Sequence, residues 1–177
     1  MIASKVEENN PGVDMPATYM LARNVGLAPE QMTFLFKMLQ SLPPTWERLA
    51  RIGKVQSPAC TFCSAPEDNT AHLLTCTQSS AVTSPLLRCL SEDATPENVV
   101  LLNIPTSESM ELHVAWLVST CLMMVWEDRV AGRVARLATC QAELKARLLV
   151  LKHTRWKYYT LHNSALLLEE MLNLHFE

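Results

Sequence analysis

From Pro29 onward the apolar residues recur at helical spacing. Met32, Leu35, Phe36 and Leu39 form an i, i+3, i+4, i+7 stripe. Pro43-Pro44 ends the helix that carries it. Ahead of it, residues 17–24 start a short helix that Gly26 stops. Thr45 can cap a helix over residues 46–52, and Gly53 stands where a C′ glycine closes one. Residues 54–59 then run extended toward a first cysteine. Further on, residues 79–90 read as weakly helical at best, because Pro85 interrupts them. Thr95-Pro96-Glu97 is a helix start, with an N-cap, a proline at N1 and an acid in the first turn.

From about residue 107 to about residue 159 the pattern is helical, with Gly132 its weak point. A straight helix of that span would measure roughly 75 Å, so a kink near Gly132 or a break near Thr154 is expected. Val130, Val134, Leu137, Gln141, Leu144, Leu148 and Leu151 follow 4-3 spacing, a three-heptad seam suited to a coiled coil or a bundle face. Residues 163–176 read as a final amphipathic helix through Leu166, Leu167, Met171, Leu172 and Leu174. The apolar run HVAWLVSTCLMMVW at 113–126 is about four residues short of a membrane span, so it is expected to be a buried helix.

Composition supports helices: 6% of residues are aromatic, while Leu and Met abound. The expected class is all-α, with a small structural zinc knuckle between helices and a long C-terminal helix or helical hairpin. Three segments are expected: a disordered tail over 1–16, a helical zinc-binding module over 17–105, and a basic helix with a C-terminal amphipathic helix over 106–177. The net charge of −3 argues against a generally basic nucleic-acid binder. It is a sum of unlike parts, however. Residues 60–112 are acidic, with Arg88 as their one basic residue, and residues 126–158 carry eight basic residues against three acids.

Six cysteines occur, and the first residues, MIASKVEENN, lack a signal-type apolar region. An intracellular, reducing setting (nucleus or cytoplasm) and metal binding are therefore expected rather than a disulfide framework. Cys60, Cys63, His72 and Cys76 have the spacing C-x2-C-x8-H-x3-C. Zinc takes four ligands tetrahedrally, and thiolate plus imidazole is its preferred set. The C-x-x-C turn can aim both sulfurs at one ion. Asp68, Asn69 or Thr70 can cap a short helix on which His72 and Cys76, at i and i+4, share a face. Four protein ligands leave no open position, so one structural zinc is expected and no catalytic one. Cys89, Cys121 and Cys140 lack such spacing and read as plain thiols. No G-x-S-x-G, Walker loop or H-E-x-x-H occurs, and no enzyme is expected.

The run Leu35 to Val55, with Leu42-Pro43-Pro44-Thr45-Trp46 and Gly53, followed by Ser57-Pro58-Ala59-Cys60 and the cysteine-histidine cluster, resembles the zinc-binding region of LINE-type (non-LTR) retrotransposon reverse transcriptases. Trp126-Glu127-Asp128-Arg129 is similar to the helix that follows that zinc site. The likeness covers residues 30–76 well and 110–160 loosely. It departs at Pro43, which stands for a leucine, and at Trp46, which stands for an arginine. No Tyr-x-Asp-Asp polymerase signature occurs. The resemblance implies a C-terminal piece or stand-alone derivative of such a protein, handling RNA or DNA in target-primed reverse transcription without polymerising.

Arg48, Arg51 and Lys54 beside the cluster are candidate nucleic-acid contacts, as are Arg129, Arg133 and Arg136. None of these last three has an acid three or four residues away. Their counter-charge is phosphate, the acidic stretch of the same chain, or solvent. Arg155 and Lys157, with Trp156, Tyr158 and Tyr159, join charge to aromatic faces in a composition suited to single strands. The rival reading is a zinc-stabilised helical module that binds a helical partner or itself. No membrane and no small-molecule substrate are expected.

Overall fold

The computed structural model describes residues 15–24, 27–40, 42–90, 95–103 and 108–154. Eight helices and no strand occur among the described residues: α1 (Met15–Asn24), α2 (Pro29–Leu39), α3 (Trp46–Arg51), α4 (His72–Thr75), α5 (Ser80–Cys89), α6 (Pro96–Val100), α7 (Glu108–Val130) and α8 (Leu137–Thr154). The all-α expectation holds.

Local chemistry explains most of these boundaries. Pro29 opens α2, and Gln31 Oε1 accepts the Ala28 amide at 3.1 Å. Thr45 Oγ1 accepts the Arg48 amide to cap α3, and Thr95 Oγ1 accepts the Asn98 amide to cap α6. At the end of α3, Gly53 takes φ 71°, the Lys54 amide reaches Leu49 O, and the Gly53 amide reaches Ala50 O. That is the paired closure of a Schellman motif, which needs a left-handed residue and so favours glycine. The same device ends α7, where Gly132 has φ 66° and the Arg133 amide reaches Asp128 O.

The long helical pattern therefore stops at Gly132 rather than kinking there, and residues 131–136 form a turn before α8. This corrects the heptad seam. Val130 is 70% exposed and Val134 60% exposed, because the turn breaks the register that placed them beside Leu144. Only from Leu137 does a buried stripe follow, through Cys140 and Leu144. The proposed final helix at 163–176 and residues 1–14 of the expected 1–16 tail lie outside the described residues, while Met15 and Pro16, the last two of that tail, are the first residues of α1. The helix α5 is a second correction, since it runs through Pro85. The proline removes a single helical hydrogen bond, and burial of Val82 and Leu86 on the core face offsets it.

The centre of the fold is α7. Residues 114–122 are buried without interruption, as an apolar run on all sides of a helix requires. It packs against α1, α2, α4, α5, α6 and α8. One core contains Leu35, Met38 and Leu39 of α2, Leu73 and Leu74 of α4, Leu117 and Leu122 of α7, and Leu144 of α8. It thus draws on both sides of residue 105. Gln31 Nε2 donates to Thr120 Oγ1 at 3.3 Å, a buried tie between α2 and α7. No helix among the described residues is long and apolar enough to cross a membrane.

Candidate metal centre

The cysteine-histidine cluster lies between α3 and α5, and backbone hydrogen bonds shape it. The Ser64 amide reaches Cys60 O and the Cys60 amide reaches Ala65 O, both at 2.9 Å. Ser64 turns the chain at φ 59°, which brings Ala65 O back to the Cys60 amide. Of the three candidate caps, Asn69 does the work: its Oδ1 accepts the His72 amide at 2.8 Å. The short α4 then sets His72 one turn before Cys76, whose amide reaches His72 O at 2.8 Å.

All four candidate ligand atoms lie within 4.8 Å of one another, so these side chains could hold a metal ion. Cys60 Sγ is 3.9 Å from Cys76 Sγ, and Cys63 Sγ is 3.2 Å from His72 Nε2. Sulfurs bound tetrahedrally at 2.3 Å would be about 3.8 Å apart, close to the spacing of Cys60 and Cys76. The other ring nitrogen, His72 Nδ1, is 3.3 Å from Thr75 Oγ1, which orients the imidazole with Nε2 inward.

The thiols are not alike. Burial pushes Cys60 up, but the amides of Phe62 and Cys63, then Arg129 and His72, outweigh it and bring its pKa down to about 6. Burial pushes Cys76 up to about 11, with the Cys60 charge adding to it against the Gln78 amide. With no metal bound, Cys60 is thus the readier thiolate and Cys76 the more reluctant one. Cys121 and Cys140 are buried elsewhere in the core, and Cys140 Sγ lies 3.9 Å from Met124 Sδ.

Two neighbours of the cluster were named from the sequence for other roles, Asp68 as a helix cap and Arg129 as a nucleic-acid contact. Asp68 is fully buried. Its Oδ2 accepts the Trp46 amide at 3.1 Å and its Oδ1 accepts from the Arg129 guanidinium. Arg129 also donates to Cys60 Sγ at 3.4 Å and lies 5.0 Å above the Phe62 ring. Burial works against its charge, yet Cys60 and Asp68 hold it more firmly protonated than usual. Arg129 reaches an acid 61 residues away, which no search of its own helix could find. Its counter-charge is the acidic stretch of the same chain, so it is not open to phosphate.

The other candidate cations take no part in that buried pair. Arg133 pairs with Asp128 at 2.8 Å, and Arg51 pairs with Glu47 on α3. Arg136 and Lys54 are exposed. Arg48 and Lys37 edge a groove of about 620 Å3 together with Phe34, Leu42, Pro43 and Trp126. Lys37 and Phe34 were not singled out beforehand, and Trp126 was named only within the apolar run and the retrotransposon-like segment. Their convergence depends on α2 packing against α7, which no local pattern encodes. Arg155 and Lys157 lie outside the described residues. No family model, curated protein or solved structure matches the chain.

Proposed function

We propose that this chain is a non-catalytic, zinc-stapled helical module that binds single-stranded RNA or DNA. The Cys3His donor set and its spacing support zinc over harder metals, which prefer oxygen. Four ligands fill the coordination shell, so the ion would supply folding energy rather than chemistry. The observation that carries the nucleic-acid reading is the groove beside α2. Lys37 and Arg48 line it with Phe34 and Trp126, whose rings are 6.3 Å apart, against a single acid, Glu30. Cations that track a backbone beside rings that accept bases are the usual means of holding single strands. The resemblance of residues 30–76 to retrotransposon zinc-binding regions points the same way, toward intracellular handling of template or target strands. On this reading the contacts shift from the Arg129 row to Lys37, Arg48 and Lys54.

The test is fluorescence anisotropy with labelled single-stranded RNA and DNA at two salt concentrations. Binding should weaken as salt rises, with a slope of about −0.7 per phosphate neutralised. The Lys37→Glu and Arg48→Glu pair should weaken binding by at least about tenfold. No binding at low salt refutes the reading. A second reading, a docking module for a helical partner or a second copy, draws on the exposed Val130, Val134 and Leu149. Sedimentation at two concentrations separates it for self-association, and a strict monomer removes that case.

A further inference from the structure

Beyond the four ligands, a guanidinium touches the centre, that of Arg129 on Cys60. Arg129 is the penultimate residue of α7, and its side chain is 9% exposed. A cation so buried needs several partners, and it has three: Asp68, the Cys60 thiol and the face of Phe62. Asp68 is itself tied on every side. Its amide donates to Pro58 O, its carbonyl accepts the Glu47 amide, and its second carboxylate oxygen accepts the Trp46 amide. The guanidinium thus has a fixed seat, and the N–H aimed at Cys60 does not depend on a flexible surface chain.

Charge explains why a cation belongs there. Three thiolates around one divalent ion leave one net negative charge, and Asp68 adds a second within the same buried volume. Both acceptors are served by one guanidinium nitrogen, Nη2, whose two N–H groups lie in a fixed plane.

We infer that Arg129 is a positioning residue of the metal centre, whose N–H···S bond to Cys60 holds that ligand and couples metal loading to the docking of the end of α7. This rests on the metal-binding reading above. It gives the tryptophan-to-arginine segment a duty inside the protein and removes Arg129 from any nucleic-acid surface.

The experiment uses the full chain loaded with Co2+, whose thiolate-to-metal band reports the electron density on sulfur. Arg129→Gln should shift that band to lower energy, because a thiolate relieved of a cationic donor is easier to oxidise. It should also weaken metal binding about 10- to 100-fold, as loss of a ligand-orienting partner does. Arg129→Lys should shift the band in the same direction, since its ammonium ends one bond short of the guanidinium nitrogen and stays with the Asp68 charge. That variant carries the test should the glutamine variant not fold. Asp68→Asn removes the seat of the guanidinium, so its band should move in the same direction by a smaller amount, whereas Glu47→Gln, which breaks the exposed pair with Arg51, should leave the band at the wild-type position. An unshifted band in the Arg129 variants overturns the inference, as does an equal shift in Glu47→Gln, which would mean loosened packing. A wild-type protein with no such band refutes the metal centre itself.

Discussion

Asp68→Asn isolates the price of the buried ion pair. Asparagine has nearly the same shape but keeps one acceptor oxygen where Asp68 has two in use. If that oxygen faces Arg129, the Trp46 amide meets an NH2 group; if it faces Trp46, the guanidinium does. One buried donor is unmet either way, at about 1–3 kcal/mol. Removing one member of a buried pair costs about 3–5 kcal/mol, and the two figures overlap rather than add. The oxygen that remains places the expected loss near the lower end, about 3 kcal/mol. Glu47→Gln on α3 is the internal control. It breaks another carboxylate–arginine pair, but there Arg51 is 66% exposed and Glu47 31%. Solvent screens that pair, so its loss should stay below about 1 kcal/mol. Urea unfolding of the zinc-saturated proteins, followed by far-UV circular dichroism, gives both values. A loss below about 1 kcal/mol for Asp68→Asn, or equal losses for the two variants, would refute the reasoning, because burial would then not be what gives the Asp68 pair its weight.

Three further outcomes are expected. Chelation, or Cys76→Ser, should remove most of the helical signal around the cluster, and zinc but not magnesium should restore the chelated protein; an unchanged thermal midpoint would count against the metal as a structural element. Gly132→Ala should cost about 1–2 kcal/mol in the same urea assay, a purely backbone effect, since an added Cβ there meets nothing within 4 Å while φ is 66°. Ser119→Ala should stabilise the protein by about 1 kcal/mol, because the Ser119 hydroxyl is buried without a hydrogen-bond partner; a loss of stability would reveal one.

Much of the candidate site was legible because its signals are short-range. Cys60, Cys63, His72 and Cys76 are brought together by one turn and one helical step, and the geometry of each follows from neighbours within five residues. The caps at Thr45 and Thr95 and the stops at Gly53 and Gly132 are local in the same sense. So is the burial of residues 114–122, since an uncharged helix apolar on every side has nowhere to go but the core.

Spacing misled where it was carried across a break. The 4-3 rhythm from Val130 to Leu144 is present in the sequence, but the Schellman closure at Gly132 takes Val130 and Val134 out of it and into solvent. Pro85 misled in the opposite sense, because a local penalty yielded to burial of its neighbours.

What the sequence determined alone was the helical class, the four candidate metal ligands and the residues that start and stop most helices. Each is settled by contacts within a turn or two of chain. Where the charges go was decided only by tertiary structure. Arg129 finds Asp68 and Cys60 across 61 and 69 residues, and Lys37 and Arg48 meet Trp126 because α2 lies on α7. A charge on a helix face can go unpaired, meet solvent or meet a distant acid, and only the packed fold chooses among these by fixing which groups share a low-dielectric interior.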